Sequence, residues 1–234
     1  MANPTPSAAS QEFFNPEQVF GSDTAFSKWE VQTDNPNTTV QRAQALKSGG
    51  DELDHKEYDA KTSESVTFTA KDDTAEIPPV GKVVNGWHID TVVITWGNTV
   101  FCQMTITCHK HGTSAHDATR YYTATLQNIG CKFGCPATIT GLIIPTGAGV
   151  RSVTLSLGVN HVDEPDRQGD HLAAGNYDGS ETVECELCDS GVIYADEDNG
   201  WTLMSLNHQR TNTAAEATSG SAEHHIQGTL PAEA

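Results

Sequence analysis

Apolar and polar residues alternate with period two through the middle of the chain. In Ser65–Ala70, Val66, Phe68 and Ala70 point one way while Ser65, Thr67 and Thr69 point the other. Val92, Ile94 and Trp96 share a face, as do Cys102, Met104, Ile106 and Cys108, with Gln103, Thr105, Thr107 and His109 opposite them. Arg151–His161 is the cleanest stretch, with Val153, Leu155, Leu157 and Val159 between Ser152, Thr154, Ser156, Gly158 and Asn160. Such repetition predicts half-buried antiparallel strands. Further strands are expected in Tyr121–Ile129, Ala137–Ile144, Glu181–Leu187, Val192–Ala195 and Trp201–Asn207. Turns are expected at Gly97–Asn98, Gly112–Thr113, Gly130, Pro145–Gly149 and Gly175–Gly179. About eight to ten strands of this kind make a β-sandwich or barrel, so the fold class is all-β and antiparallel.

The flanks lack this rhythm. Residues 1–60 carry Pro4, Pro6, Pro16 and Pro36 among Asn, Ser, Gln and Thr, and are expected to be an extended N-terminal arm. One short helix is predicted within it over residues 39–47, capped by Thr38 or Thr39 and stopped at Gly49. The β-domain is expected over 61–208, and residues 209–234, rich in Ala, Thr, Ser, Gly and Glu, as a flexible C-terminal tail.

Composition sharpens the picture. The 234 residues hold 13 Lys plus Arg against 31 Asp plus Glu, a formal charge of -18. Such a field repels nucleic-acid phosphate. No run of about 18 apolar residues exists to suggest a membrane helix. Met1–Ser10 has neither a basic start nor an apolar stretch, so no secretory signal is expected. Residues 151–200 carry twelve acids against Arg151 and Arg167, whereas residues 101–150 carry Asp117 against Lys110, Arg120 and Lys132. The polar faces of the predicted strands are Thr, Ser, Gln and Asn rather than Lys and Glu. A neutral hydrogen-bonding face of that kind suits packing against another subunit or lining a wet channel.

Candidate chemistry is sparse. Cys131, Cys135, Cys185 and Cys188 have spacings that permit a four-thiolate zinc site, but strand alternation sets Cys185 and Cys188 on opposite faces unless the chain turns at Leu187. Cys102 and Cys108 read as buried thiols. His109 and His111 put two imidazoles on one strand face with His116 nearby, an arrangement that can hold a metal, although Thr113, Ser114 and Ala115 stand where an acidic ligand is wanted. The segment His161–His171 is expected to be an acidic loop without the Asp-x-Asp-x-Asp-Gly order of a calcium site. No nucleophile elbow, phosphate loop, dinucleotide fingerprint or HExxH is present. The expectation is therefore no catalytic, cofactor-binding or metal-binding residue, and no cofactor.

The extended arm leads into Ile77-Pro-Pro-Val-Gly81-Lys-Val-Val-Asn-Gly86-Trp-His-Ile-Asp-Thr-Val. Polar-alternating strands follow, and the core closes from Gly169-Asp-His171-Leu through Asn176-Tyr-Asp-Gly179. In this organisation, over about residues 60–207, the chain resembles bacteriophage virion structural proteins, above all the tail tube subunits of long-tailed phages. The resemblance implies a non-enzymatic protein that assembles with copies of itself into stacked hexameric rings. Its partners would be other tail or head–tail proteins, with DNA passing through unbound and no membrane contact. Such a protein is assembled in the bacterial host cytoplasm and resides in the virion. Capsid decoration and head–tail joining use the same ingredients. A carbohydrate-binding module and a metal-dependent cupin-like β-barrel enzyme are the alternatives of another class.

Overall fold

The computed structural model describes residues 26–50, 52–111, 120–136, 142–143, 149–168, 171–187, 194–195, 200–209 and 217–230. Their strands are β1 (Trp29–Leu46), β2 (Glu52–Ala70), β3 (Val83–Val84), β4 (Trp87–Gly97), β5 (Val100–His111), β6 (Tyr121–Tyr122) and β7 (Leu142–Ile143). They continue with β8 (Val150–Pro165), β9 (His171–Leu187), β10 (Tyr194–Ala195), β11 (Trp201–Gln209), β12 (Ala217–His225) and β13 (Gly228–Thr229). Nine of them form one antiparallel sheet in the order β1-β2-β5-β4-β8-β9-β12-β11, with β3 paired to β4. No α-helix occurs among the described residues, so the expected all-β antiparallel class holds.

Directly opposed residues in an antiparallel ladder share a face, so the register shows where the core lies. Val31, Phe68, Met104, Ile94, Leu155, Val183 and Ala222 stand opposite one another in turn across seven strands. All seven are buried. Burying each larger side chain contributes about 1.5–3 kcal/mol. A neighbouring row, also on this face, runs Val66, Ile106, Val92, Leu157, Glu181, His224 and Trp201.

A second, mostly irregular layer joins this core. Ala75, Ile77, Val80, Tyr122, Ala124 and Ile129 are buried in the same cluster. Two stretches of that layer hold each other through backbone bonds from Ile77 N to Gln127 O, Ile129 N to Ala75 O and Val80 N to Tyr122 O, each 3.0 Å. The Trp29 indole donates to Glu76 O at 2.9 Å, and Glu181 accepts from Thr125 N at 3.0 Å, so both layers are stitched by polar contacts inside an apolar core. His224 Nδ1 completes the Glu181 carboxylate at 2.8 Å.

Five expectations are corrected. The helix expected over 39–47 is strand instead. Thr38, Thr39 and Gln41 oppose Thr62, Lys61 and Tyr58, and β-branched Thr38, Thr39 and Val40 suit a pleated ladder better than a marginal nine-residue helix. The C-terminal segment is not merely a tail. Its β12 lies between β9 and β11, with Gly220 and Ala222 buried, because small residues let this strand fit under the core. The acidic loop over 161–171 and the turn at Gly175–Gly179 are largely strand, since β8 and β9 pair from Val150↔Leu187 out to Pro165↔His171. Asp178, at φ 54, lies where the register shifts between Gly158 and Asn160. The strand expected over Tyr121–Ile129 is confined to Tyr121–Tyr122.

One carboxyl pair sits where the β1–β2 hairpin leaves the core. Glu64, 2% exposed, lies beside Asp34. Burial and the Asp34 carboxylate push its pKa up to about 8, from an ordinary 4.5. The folded state therefore holds a proton that the unfolded chain has released. The associated stability is fully present below about 4.5 and is lost as pH rises through about 8. Urea unfolding should show stability falling between about pH 4.5 and pH 8, and Glu64→Gln should abolish most of that fall, leaving the variant about 1–3 kcal/mol more stable than the parent above that range. Parallel pH profiles for the two proteins would exclude this pair as the cause.

Candidate functional site

The densest polar cluster lies at one end of the sheet, on the face of β5 opposite Cys108. His109 and His111 follow Thr105 and Thr107 along that face, yet they are only 2% and 6% exposed. His88 of β4 stands directly opposite His109. Asp90 is the extra residue in β4, since Ile89 opposes Cys108 and Thr91 opposes Thr107. That irregularity lets Ile89 enter the core while Asp90 turns to the histidines. The far half of the β8–β9 hairpin supplies His161, Asp163 and Asn176.

Asp90 holds two rings. Its Oδ1 lies 2.9 Å from His88 Nδ1, and both its oxygens lie 2.8 Å from His109 Nδ1. Asn176 holds two more nitrogens. Its Nδ2 donates to Gly81 O at 3.0 Å and to Arg120 O at 2.8 Å, so Oδ1 is the acceptor for His88 Nε2 at 2.9 Å and His161 Nδ1 at 2.7 Å. Gly81 is required here. Its φ is 78°, and a Cβ would come within 2.6 Å of Asn176 Nδ2 and 2.8 Å of Arg120 O.

Asp163 closes the far side. Its Oδ1 lies 2.7 Å from His161 Nε2, and its Oδ2 lies 3.4 Å from His111 Nε2 and 3.3 Å from Lys61 Nζ. Ring centroids of His88 and His161 are 4.1 Å apart, and those of His109 and His111 are 5.6 Å apart.

The charges follow from these contacts. Burial alone would raise the pKa of Asp90, but hydrogen bonds from His109 and His88 outweigh it and hold the carboxyl well below the usual range. Asp163 is likewise held low against burial by His161, Lys61 and His111. Burial would lower His161, yet its bonds to Asp163 and Asn176 raise it. Both its nitrogens face acceptors, as they do in an imidazolium. His109 is the contrast. Burial outweighs the Asp90 contact and lowers its pKa, so it stays neutral, with Nδ1–H on Asp90.

Of the residues singled out in the sequence, His109 and His111 do come together, while His116 lies outside the described residues. The structure adds His88, Asp90, His161, Asp163 and Asn176. Their signal in the sequence was faint. His161 and Asp163 alternate at period two, but only the β8–β9 pairing carries them to β5. Burial first, and then the neighbouring Cys135, raise the thiol pKa of Cys131 and of Cys185, so three of the four candidate cysteines stand near one another. Cys188 lies outside the described residues, and no three described cysteines bring their sulfurs within 4.8 Å. Cys102, Cys108 and Cys185 are buried free thiols. Burial pushes Cys185 up to about 12. All four tryptophans, Trp29, Trp87, Trp96 and Trp201, are buried, so none offers an exposed sugar-stacking platform.

No protein-family model and no curated protein sequence matches the chain.

Asp90 is the keystone of the cluster. Asp90→Asn removes the charge to which both histidines bond and sets an amide NH2 against His109 Nδ1, and should cost about 2–4 kcal/mol in urea unfolding. A loss below about 0.5 kcal/mol, the range of an ordinary surface change, would mean that the cluster is not held through this carboxylate.

Proposed function

We propose that the chain is a non-enzymatic, self-assembling structural subunit, of the kind that forms the tail tube of a long-tailed bacteriophage. The observation that carries this reading is the outward face of the large sheet. One row across it reads Glu30, Thr69, Gln103, Thr95, Thr154, Glu184, Ser221 and Ser205. The next reads Thr33, Thr67, Thr105, Val93, Ser156, Thr182, Glu223 and Thr202. Neither row contains Lys or Arg. A sheet surface built of hydroxyls and carboxylates wets well and repels phosphate, which suits a conduit through which a DNA duplex slides without sticking. A groove of about 420 Å³ over this face is lined by Ser152, Thr154, Glu184, Glu186, Ser205 and Ser221.

Two further features favour assembly. The sheet ends in β1 on one side and β11 on the other. On β11, Leu203, Met204 and Leu206 are 42%, 58% and 46% exposed. Edges of this kind pair readily with another chain, and ring closure removes them. The β1–β2 hairpin also runs past its last pairing with β5, at Lys61↔His111, by roughly 20 Å of strand. Val40, Leu46 and Leu53 are exposed on this projection, which would meet a neighbouring subunit or ring. In this reading the subunit meets copies of itself and other tail or head–tail proteins inside the virion.

Negative-stain microscopy of the purified chain should show rings or tubes, and a monodisperse monomer at high concentration would refute the polymer. The double variant Thr154→Lys/Thr182→Lys should still assemble but should retain duplex DNA in a salt-sensitive way, whereas the parent assembly should not. Assemblies of both proteins ignoring DNA alike would remove this face from the channel wall.

A further inference from the structure

We infer that His109, His111 and Asp163 form a binding site for a divalent first-row transition cation. Each offers one donor atom, and these atoms lie within 4.8 Å of one another. Two imidazoles and a carboxylate are a donor set that zinc, cobalt or ferrous iron accepts, with positions left for water. Donors about 2.1 Å from a shared ion stand roughly 3.4 Å apart, so modest side-chain rotation closes the site.

The surroundings resemble what metal ligands need rather than what a plain hydrogen-bonded network needs. Asp90 takes His109 Nδ1 with both oxygens at 2.8 Å, which makes Nε2 the nitrogen that bears the lone pair. A carboxylate behind a ligating histidine orients the ring and raises its basicity. Asp163 is prepared in the same way. His161 Nε2 binds Oδ1 at 2.7 Å, leaving Oδ2 beside His111 Nε2 at 3.4 Å. Asp90 and Asp163 place two carboxylates at the site, one of them shared with His161. The overlapping trio His88, His109 and His161 also has donors within 4.8 Å. Both nitrogens of His88 and of His161 already face Asp90, Asn176 or Asp163, so these two rings frame the site.

Lys61 is the resident rival. Its ammonium lies 3.3 Å from the same Asp163 Oδ2 that the ion would use, and it stands opposite His111 in the ladder. At 31% side-chain exposure it has room to turn toward solvent, and Asp163, at 26%, gives an ion its entrance. Lysine and metal therefore compete for one oxygen. A purely structural cluster would show no such antagonism.

The test is a cobalt(II) titration of the full-length, chelator-stripped chain, followed by visible absorption and repeated with zinc by calorimetry. One equivalent should saturate a cobalt spectrum characteristic of nitrogen and oxygen ligands. His111→Gln and Asp163→Asn should each weaken binding by at least about tenfold, as losing a ligand does more than losing its support. Lys61→Met should tighten it severalfold, and the exposed His225→Gln should leave it unchanged. If Asp163→Asn fails to fold, Lys61→Met decides, because tighter binding supports the site and equal or weaker binding overturns it. The site is also overturned if the parent shows no saturable cobalt spectrum, or if folded His111→Gln titrates like the parent.

Discussion

Antiparallel pairing assigns every side chain to one of two faces, and the register between β4 and β5 is the pairing on which the rest depends. With Ile94 opposite Met104 and Val92 opposite Ile106, apolar residues of the two central strands meet on one side and threonines on the other. The outer strands inherit that parity through β2 and β8. An additional residue, Asp90, then breaks the alternation near one end. Ile89 stays in the core, while His88 and Asp90 reach His109 on the opposite face. One local insertion thus separates an apolar interior from a buried ionic site a few ångströms away.

Several of the carboxylates that this architecture buries are matched in sets, whereas the indole nitrogens of Trp96 and Trp201 are buried without a hydrogen-bond partner. Glu181 occupies a position in a core row and is matched by Thr125 and His224, which belong to the second layer and to β12. Its contacts tie a C-terminal strand to the centre of the sheet. Glu64 and Asp34 share a restricted space at the root of the β1–β2 hairpin, where a retained proton is the cheaper solution than two adjacent charges. The histidine cluster uses carboxylates as anchors for rings contributed by β4, β5 and β8. All three sets join segments distant in the chain, and because buried carboxylates tolerate only matched partners, they favour one arrangement of those segments over near-equivalent alternatives.

Part of the acidic charge of the chain lies on the outward sheet face. Glu30, Glu184 and Glu223 stand among threonines and serines on the outward sheet face, and Lys61 and Lys110 are drawn instead into contacts with Asp163 and the Trp87 ring. Cations engaged in this way do not offset the carboxylates of the outer face. The threonine hydroxyls add wetting without charge and pair across strands, as Thr38 does with Thr62 at 3.1 Å. A core, a hydroxylated face and exposed strand edges are the physical ingredients from which the assembly reading is made.

Period-two alternation was enough to determine the all-β class, the inward faces of β4, β5 and β8, and the burial of Cys102, Cys108 and Trp96, because side-chain parity along a strand is a local property. His109 and His111 were also legible as neighbours on one strand. The strand nature of residues 39–46 and 217–225 was not. Their sequences have weak apolar patterning, and the pairing partners that hold them extended lie elsewhere in the chain. The same holds for the cluster. His88, Asp90, His161, Asp163 and Asn176 span almost ninety residues, and no spacing rule joins them. Only the tertiary register, with its extra residue at Asp90 and the long β8–β9 pairing, brought them within hydrogen-bond distance, because backbone ladders, not sequence proximity, decide which distant side chains meet.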